Sequence, residues 1–96
     1  MALTIAGFRR SAAFDADVKR ASNDVLQDAN DALDRLRANP AAASLRLHSL
    51  SGYPRPKIYK IDVRPDKSYQ LTFELEGDTA VLLRLGTHRQ LDRRPR

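Results

Sequence analysis

The residues best suited to chemistry follow an apolar segment near the end of this 96-residue sequence. Residues 79–85 are mostly Ala, Val and Leu, contain Arg84, and lead through Gly86 and Thr87 to His88. If strand geometry persists to that point, positions 84 and 88 have equal parity and share a face of the sheet. A guanidinium stabilises anionic charge, and an imidazole exchanges protons near neutral pH. The pair therefore indicates chemistry at a phosphate group.

Three segments of the second half predict the strands that would position these groups. Apolar and polar residues alternate with period two in 57–64 and 68–75, and 79–85 forms the third strand. The segments 65–67 and 76–78 suit tight turns, so these strands should be antiparallel neighbours. In the last strand, Val81, Leu83 and Leu85 are expected on the core face. The opposite face is expected to be open to solvent and to carry Lys60, Asp62, Arg64, Gln70, Thr72, Arg84 and His88.

The first half predicts a short strand and a helix. Residues 3–8 are apolar and compatible with a strand. Ser11 can cap a helix in which Asp15 and Asp17 are favourably placed for the first turn, since carboxylates are stabilised near a helix N-terminus.

A second helix is expected to begin at Ser22 or Asn23 and to end at 39–40, where Asn precedes Pro. It would form a hairpin with the first helix or continue it as one bent helix. Asp31 and Arg35 are one turn apart on it. Residues 41–44 are expected to be a loop or a last helical turn, and 51–56 a loop. The apolar positions at helical spacing are Val25, Leu26, Ala29, Leu33 and Leu36.

Together these elements predict an α+β fold in one domain, residues 1–96. An N-terminal strand and two helices, paired as a helical hairpin, should pack on one face of a mainly antiparallel twisted sheet of about four strands. The last four residues, 93–96, are expected to form a frayed basic tail.

Composition narrows the classes of function. The net charge is +5, and residues 41–96 supply all of the excess with eleven Lys or Arg against six Asp or Glu. This asymmetry favours a polyanionic partner, nucleic acid first, although an acidic protein also fits. The absence of cysteine excludes disulfides, thiol nucleophiles and thiolate-bound zinc. With no membrane-length apolar stretch and no leader-like charge pattern at the start, we expect a soluble, unprocessed protein of the cytoplasm.

Three segments resemble the RelE/ParE superfamily of bacterial toxins, and most closely the YafQ-like mRNA endoribonucleases that act on the ribosome. They are Leu47-His48-Ser49-Leu50-Ser51-Gly52, Ile61-Asp62-Val63-Arg64-Pro65-Asp66, and the stretch from Leu83 to Leu91 that contains Gly86-Thr87-His88. Their order and spacing fit the family, as does the strand with paired helices at the start.

The resemblance implies a toxin of a type II toxin–antitoxin system that cleaves mRNA on the ribosome without metal or other cofactor. A cognate antitoxin would hold it inactive. His48, Asp66, Arg84 and His88 match active-site positions of the family, and Asp62 stands where the toxins have a second catalytic histidine.

The reaction that the resemblance implies is attack of a ribose 2′-hydroxyl on the adjacent phosphate. This reaction needs a base, an acid and positive charge, and each matching residue is a candidate for one of these roles. His88 is the candidate acid or base, Arg84 the phosphate clamp and His48 the second proton handler. Asp66 is an alternate base or orients an imidazole, and the carboxylate of Asp62 could also act as a base. Lys60, Arg64, Lys67 and Arg89 are the candidate RNA-binding cations.

Other interpretations remain open at this stage. His48 also fits a surface position beside a turn, and Asp66 also fits a turn former after Pro65. Lys67, Gln70 and Asp92 depart from family patterns, because other members have aromatic residues at the first and third positions and some have arginine at the second. The alternatives are a ParE-like toxin that binds DNA gyrase without catalysis, or a decayed member that binds only a protein partner.

Overall fold

The computed structural model describes residues 3–54 and 56–96. A hydroxyl side chain caps the N-terminus of each α-helix in this part of the chain. Ser11 Oγ accepts from the N–H of Phe14, and Ser22 Oγ accepts from the N–H of Val25, which confirms both predicted helix starts. No helix among these residues is long and apolar enough to cross a membrane. The helices are α1 (Ala12–Arg20), α2 (Asn23–Ala38) and α3 (His88–Arg93), and a 3-10 turn spans Ala43–Leu45.

Strands from both halves of the chain join in one sheet with the order β1-β5-β4-β3-β2. Strands β2 to β5 pair antiparallel in succession, and β1 pairs with β5 in parallel. The predicted α+β class and mainly antiparallel sheet are confirmed, but the described residues form five strands rather than about four. The strands are β1 (Gly7–Arg10), β2 (His48–Pro54), β3 (Lys57–Asp62), β4 (Tyr69–Glu76) and β5 (Thr79–Thr87).

The additional strand is β2, where the sequence predicts a loop over 51–56 because of its glycine and prolines. It lies at the edge of the sheet, where Gly and Pro are tolerated, and its register shifts between Ser49 and Pro54. Position 55 of the predicted loop lies outside the described residues. The first strand is also displaced from 3–8 to Gly7–Arg10, because β5 begins at Thr79 and Thr79 pairs with Gly7.

The main core lies between α1, α2 and one side of the sheet. It contains Phe14 of α1, Ala29 and Leu36 of α2, and strand residues such as Ile61 and Phe73, all at most 4% exposed. Full burial of a Leu, Ile or Phe side chain contributes about 1.5–3 kcal/mol, so this layer fixes the helical hairpin on the sheet. We call the opposite side of the sheet the far side.

A β-bulge in β5 reverses the alternation of its side chains. Thr72 of β4 pairs with Arg84, but the next residue, Phe73, pairs with Leu82, so Leu83 is the extra residue. The prediction that Val81, Leu83 and Leu85 share one face is therefore wrong. Leu85 belongs to the main core, whereas Val81 and Leu83 form a second, smaller cluster with Ile58 on the far side.

The C-terminal segment covers the far side, which the sequence predicts to be open. Thr72 is fully buried and its hydroxyl donates to the carbonyl of Pro95 at 2.6 Å. Arg96 continues across the sheet, with its guanidinium carbon 6.0 Å from the centre of the Tyr53 ring and Nη2 3.9 Å from Glu74. The predicted frayed tail is therefore wrong, because the tail is ordered by contacts with strands far away in the sequence.

Candidate active site

Strand register brings four polar side chains into one row on the far side. His48 of β2 pairs with Lys60 of β3, which pairs with Thr72 of β4. Thr72 in turn pairs with Arg84 of β5. Opposed residues of neighbouring strands share a face, and strands lie about 4.8 Å apart, so the row extends about 14 Å. We call these four residues the polar row.

Arg84 is held by a carboxylate of the first helix. Its Nε and Nη2 lie 2.7 and 3.1 Å from the two oxygens of Asp17, which also accepts from the N–H of Leu85 at 2.9 Å. The hydrogen bond with Asp17 raises the pKa of Arg84, so the guanidinium stays cationic. Among the described residues, Nη1 makes only a long contact, 3.5 Å to the carbonyl of Arg94. Arg84 is thus a fixed cation that can still offer Nη1 to an anion.

His88 begins α3 instead of extending β5. The predicted common strand face for His88 and Arg84 is therefore wrong, because the strand ends at Thr87. The helix still connects to the polar row. His88 Nδ1 lies 2.9 Å from Asp92 Oδ2, and Asp92 Oδ1 lies 3.7 Å from the buried ammonium of Lys60.

Both histidines have Nδ1 beside an oxygen acceptor. His48 Nδ1 lies 2.8 Å from the carbonyl oxygen of Arg46, and His88 Nδ1 faces Asp92. Because those oxygens only accept, Nδ1 carries the proton of a neutral ring and Nε2 keeps a free lone pair. Both rings are exposed. Each imidazole therefore presents Nε2 for proton transfer, as an acceptor when the ring is neutral and as a donor when the ring is an imidazolium.

Asp62 lies two residues along β3 from Lys60, but its carboxylate is already engaged. Gln70 Nε2 donates to Oδ1 at 2.9 Å, and Arg46 Nε lies 3.5 Å from Oδ2. Asp62 and Gln70 are each 4% exposed, so their predicted position on an open face is wrong. Gln70 Oε1 is buried and accepts no hydrogen bond from the described residues.

Asp66 lies in the turn between β3 and β4, fully exposed, and accepts from the N–H of Ser68 at 2.9 Å. Hydrogen bonds from Ser68 lower the pKa of Asp66 below its ordinary value of 3.8. Because the pKa falls on folding, the linked stabilisation is present above the unfolded-state pKa and is lost as pH drops through the folded-state value. A carboxylate of this kind is a weak base near neutral pH, which fits an orienting or turn-forming role better than proton abstraction.

The four cations expected to bind RNA differ in accessibility. Lys67 in the β3–β4 turn and Arg89 in α3 are exposed. Arg64 donates from Nε to Asp28 of α2 at 2.7 Å, beside the helical layer and not on the far side, because β3 has already ended. Lys60 is buried beneath α3, so the prediction that it is open to solvent is wrong.

Two carboxylates of the site were not identified from the sequence. Asp17 lies beyond the first turn of α1 and is buried against β5, a contact across 67 positions that has no local signal. At position 92 the sequence has Asp where other members of the family that it resembles have an aromatic residue. The Asp92 carboxylate contacts both His88 and Lys60. Its spacing of four residues from His88 is the one available signal, and it has meaning only if that segment is helical.

Solved structures that share this fold include toxins. YafQ of E. coli, in its complex with DinJ, is 23% identical, with 88% of this chain and 93% of that chain covered and a TM-score of 0.70. The RelB–RelE antitoxin–toxin complex of Methanococcus jannaschii gives 17% identity, coverage of 88% and 95%, and a TM-score of 0.67.

A metal-bound toxin from Helicobacter pylori is 23% identical, with 95% of this chain and 99% of that chain covered and a TM-score of 0.67. No protein-family model matches the sequence, and no curated protein matches it. The fold is therefore RelE/YafQ-like, as the sequence resemblance predicts.

Proposed function

We propose that this chain, which has the RelE/YafQ-like fold, is a single-domain toxin of a type II toxin–antitoxin system that cleaves mRNA on the ribosome in the cytoplasm. The observation that best supports this is the convergence of both imidazoles on Lys60. His48 is its cross-strand partner, and His88 is linked to it through Asp92. Phosphodiester transesterification needs two proton-transfer groups and positive charge, and these three residues can supply them.

The geometry suggests a division of roles. One imidazole starts neutral and accepts the ribose 2′-hydroxyl proton at Nε2. The other starts as imidazolium and donates its Nε2 proton to the departing 5′-oxygen as the phosphorus–oxygen bond breaks. Lys60 and the Nη1 group of Arg84 stabilise the charge that develops on the phosphate. Asp92 orients His88 by accepting from Nδ1, as the third member of a catalytic triad orients its histidine.

The proposed partner that inhibits the toxin is a cognate antitoxin. The support is that YafQ and RelE toxins of the same fold occur in complexes with DinJ and RelB. The net charge of +5 fits an acidic protein as well as it fits RNA. One basic surface could thus serve inhibitor and substrate in turn.

The test is induction of the protein in bacterial cells, followed by mapping of transcript ends. We expect growth arrest and new 5′ ends within codons. His88→Ala should lower the cleavage rate by about 10²-fold or more, the usual contribution of a general acid or base. His48→Ala should lower it by a similar factor.

The matched control is Arg93→Ala, an exposed residue of the same helix outside the proposed machinery. It should cleave like the parent protein. Full toxicity of both histidine variants, with unchanged circular dichroism, would place the active site elsewhere. Growth arrest with intact mRNA and inhibited supercoiling would instead identify a gyrase-binding toxin.

A further inference from the structure

A second basic feature lies beside the polar row, where the end of β3 meets α2. It is a cavity of about 310 Å³, and four of its nine lining residues are cations. At about 30 Å³ per water molecule, it would hold roughly ten waters, enough for a phosphate group and part of a sugar. We call this cavity the basic pocket; its polar lining residues are Arg35, Ser44, Arg46, Asp62, Arg64 and Lys67.

The residues that line the basic pocket carry more positive than negative charge. Asp62 is the one carboxylate of the lining, and Asp28 outside it pairs with Arg64. The four cations and these two carboxylates together leave an excess of two positive charges. Arg35 makes no ion pair with any described residue, including Asp31 one turn earlier, and thus remains available to a ligand.

The cations of the basic pocket retain donors. Arg46 Nε lies 3.5 Å from Asp62, longer than an ordinary N–H···O hydrogen bond. Arg64 uses Nε for Asp28, and no hydrogen bond of its two terminal nitrogens occurs with the described residues. Guanidinium groups with free terminal nitrogens bind phosphate oxygens in pairs.

Backbone conformation gives an independent indication. In 3–54 and 56–96, the non-glycine residues with positive φ are Arg46 at 49° and Lys67 at 64°, and both line the basic pocket. Residues with a Cβ adopt this left-handed conformation at a cost, which Gly or Asn would reduce. Two cations are therefore held in unfavourable backbone geometry on the two loops that border the same cavity.

We propose that the basic pocket binds a backbone phosphate of RNA, next to the one that reacts on the polar row. The inference rests on the proposed function for its ligand class. Asp62, which lines the basic pocket, lies two residues from Lys60 along β3, about 6.6 Å at 3.3 Å per residue. A single RNA strand can therefore reach both sites, and Ser44 adds a hydroxyl donor to the guanidinium groups.

The first measurement uses inorganic phosphate and the amide resonances of the full chain. We expect saturable chemical-shift changes at the amides of Ser44, Arg46 and Lys67. Arg35→Gln should weaken the phosphate affinity measured from them at least about fivefold. The matched control is Arg37→Gln, an exposed arginine of the same helix turn that does not line the basic pocket. Arg46→Lys keeps the charge but loses paired donation, so it should weaken binding with the fold intact.

The second measurement uses a non-cleavable single-stranded RNA and varies the salt concentration. Arg35→Gln should lower the slope of log affinity against log salt by about 0.7, the value for one lost phosphate contact, while Arg37→Gln leaves the slope unchanged. Equal binding of phosphate by all variants would show an adventitious ion only and overturn the proposal. Tighter binding of an acidic peptide than of RNA at these residues would also overturn it and indicate a protein-binding site.

These outcomes are separable from those of the proposed function. Loss of mRNA cleavage in His88→Ala with phosphate binding retained supports two distinct sites. If the basic pocket binds phosphate and RNA but the protein never cleaves mRNA, the proposed nuclease activity is contradicted and the proposed phosphate site is supported.

Discussion

At the scale of single residues, Asp17 and Arg84 illustrate how one ion pair serves both architecture and the candidate site. The Asp17 side chain is 7% exposed and the Arg84 side chain 21%, and the two make a paired contact with an additional bond from the N–H of Leu85. Beyond Leu82, β5 has no pairing with β1, so the N–H of Leu85 can donate to this carboxylate. The same contact fixes the cation at the end of the polar row.

Asp17→Asn should destabilise the protein by about 3 kcal/mol, because it leaves a partly buried guanidinium without its counter-charge. The measurement is urea unfolding followed by circular dichroism. Asp15→Asn on the same helix is the control, since its pair with Arg10 at 3.2 Å is largely exposed, and it should cost less than about 1 kcal/mol. Equal losses for the two variants would contradict the structural role of Asp17.

At the scale of elements, α3 depends on a close approach at the end of β5. Thr87 and Gln90 form a capping box, in which Gln90 Oε1 accepts from the N–H of Thr87 at 2.9 Å. A Cβ at position 86 would lie 2.7 Å from that same oxygen. Glycine at 86 therefore allows the cap that starts the helix, and the helix in turn carries His88 and Asp92.

Gly86→Ala should cost about 1 kcal/mol, the usual value of an N-terminal cap, because Gln90 must give up its hydrogen bond to make room. Faster amide exchange confined to α3 should accompany the loss. Gly7→Ala is the control, since a Cβ there meets nothing within 4 Å. If α3 exchanges at the parent rate in Gly86→Ala, the cap is not what holds this helix.

At the scale of the whole molecule, the C-terminal tail connects parts of the chain that are distant in sequence. It joins α3 to Thr72 of β4 and to Tyr53 of β2, and it covers the polar part of the far side. Buried polar groups need partners, and the tail supplies the acceptor for Thr72.

Deletion of residues 94–96 should lower the free energy of unfolding by about 1–2 kcal/mol, because the buried hydroxyl of Thr72 loses its acceptor and Pro95 no longer covers it. Urea unfolding and amide exchange of β3 and β4 measure the effect. Arg96→Ala is the control, because its polar contacts are 3.5 Å or longer, and it should change stability by less than about 0.5 kcal/mol. An unchanged unfolding midpoint after the deletion would show that the tail does not contribute to the folded state.

Local patterns predicted the helices and most of the strands because their physical causes are local. The caps at Ser11 and Ser22, the stop at Asn39 and the alternation in β3 and β4 need no knowledge of distant residues. The errors occurred where a neighbour in space decides the outcome. Strand β2 forms because β3 offers it an edge, and the bulge at Leu83 depends on pairing with β4.

The sequence by itself therefore determined the α+β class, the helical hairpin and the residue types available for phosphate chemistry, since periodicity and turn chemistry act over a few residues. The tertiary structure decided which of those residues meet. It buried Lys60, coupled Arg84 to Asp17, moved His88 onto a helix and brought Asp92 between His88 and Lys60. These contacts depend on strand register and on the path of the C-terminal segment, which no local pattern specifies.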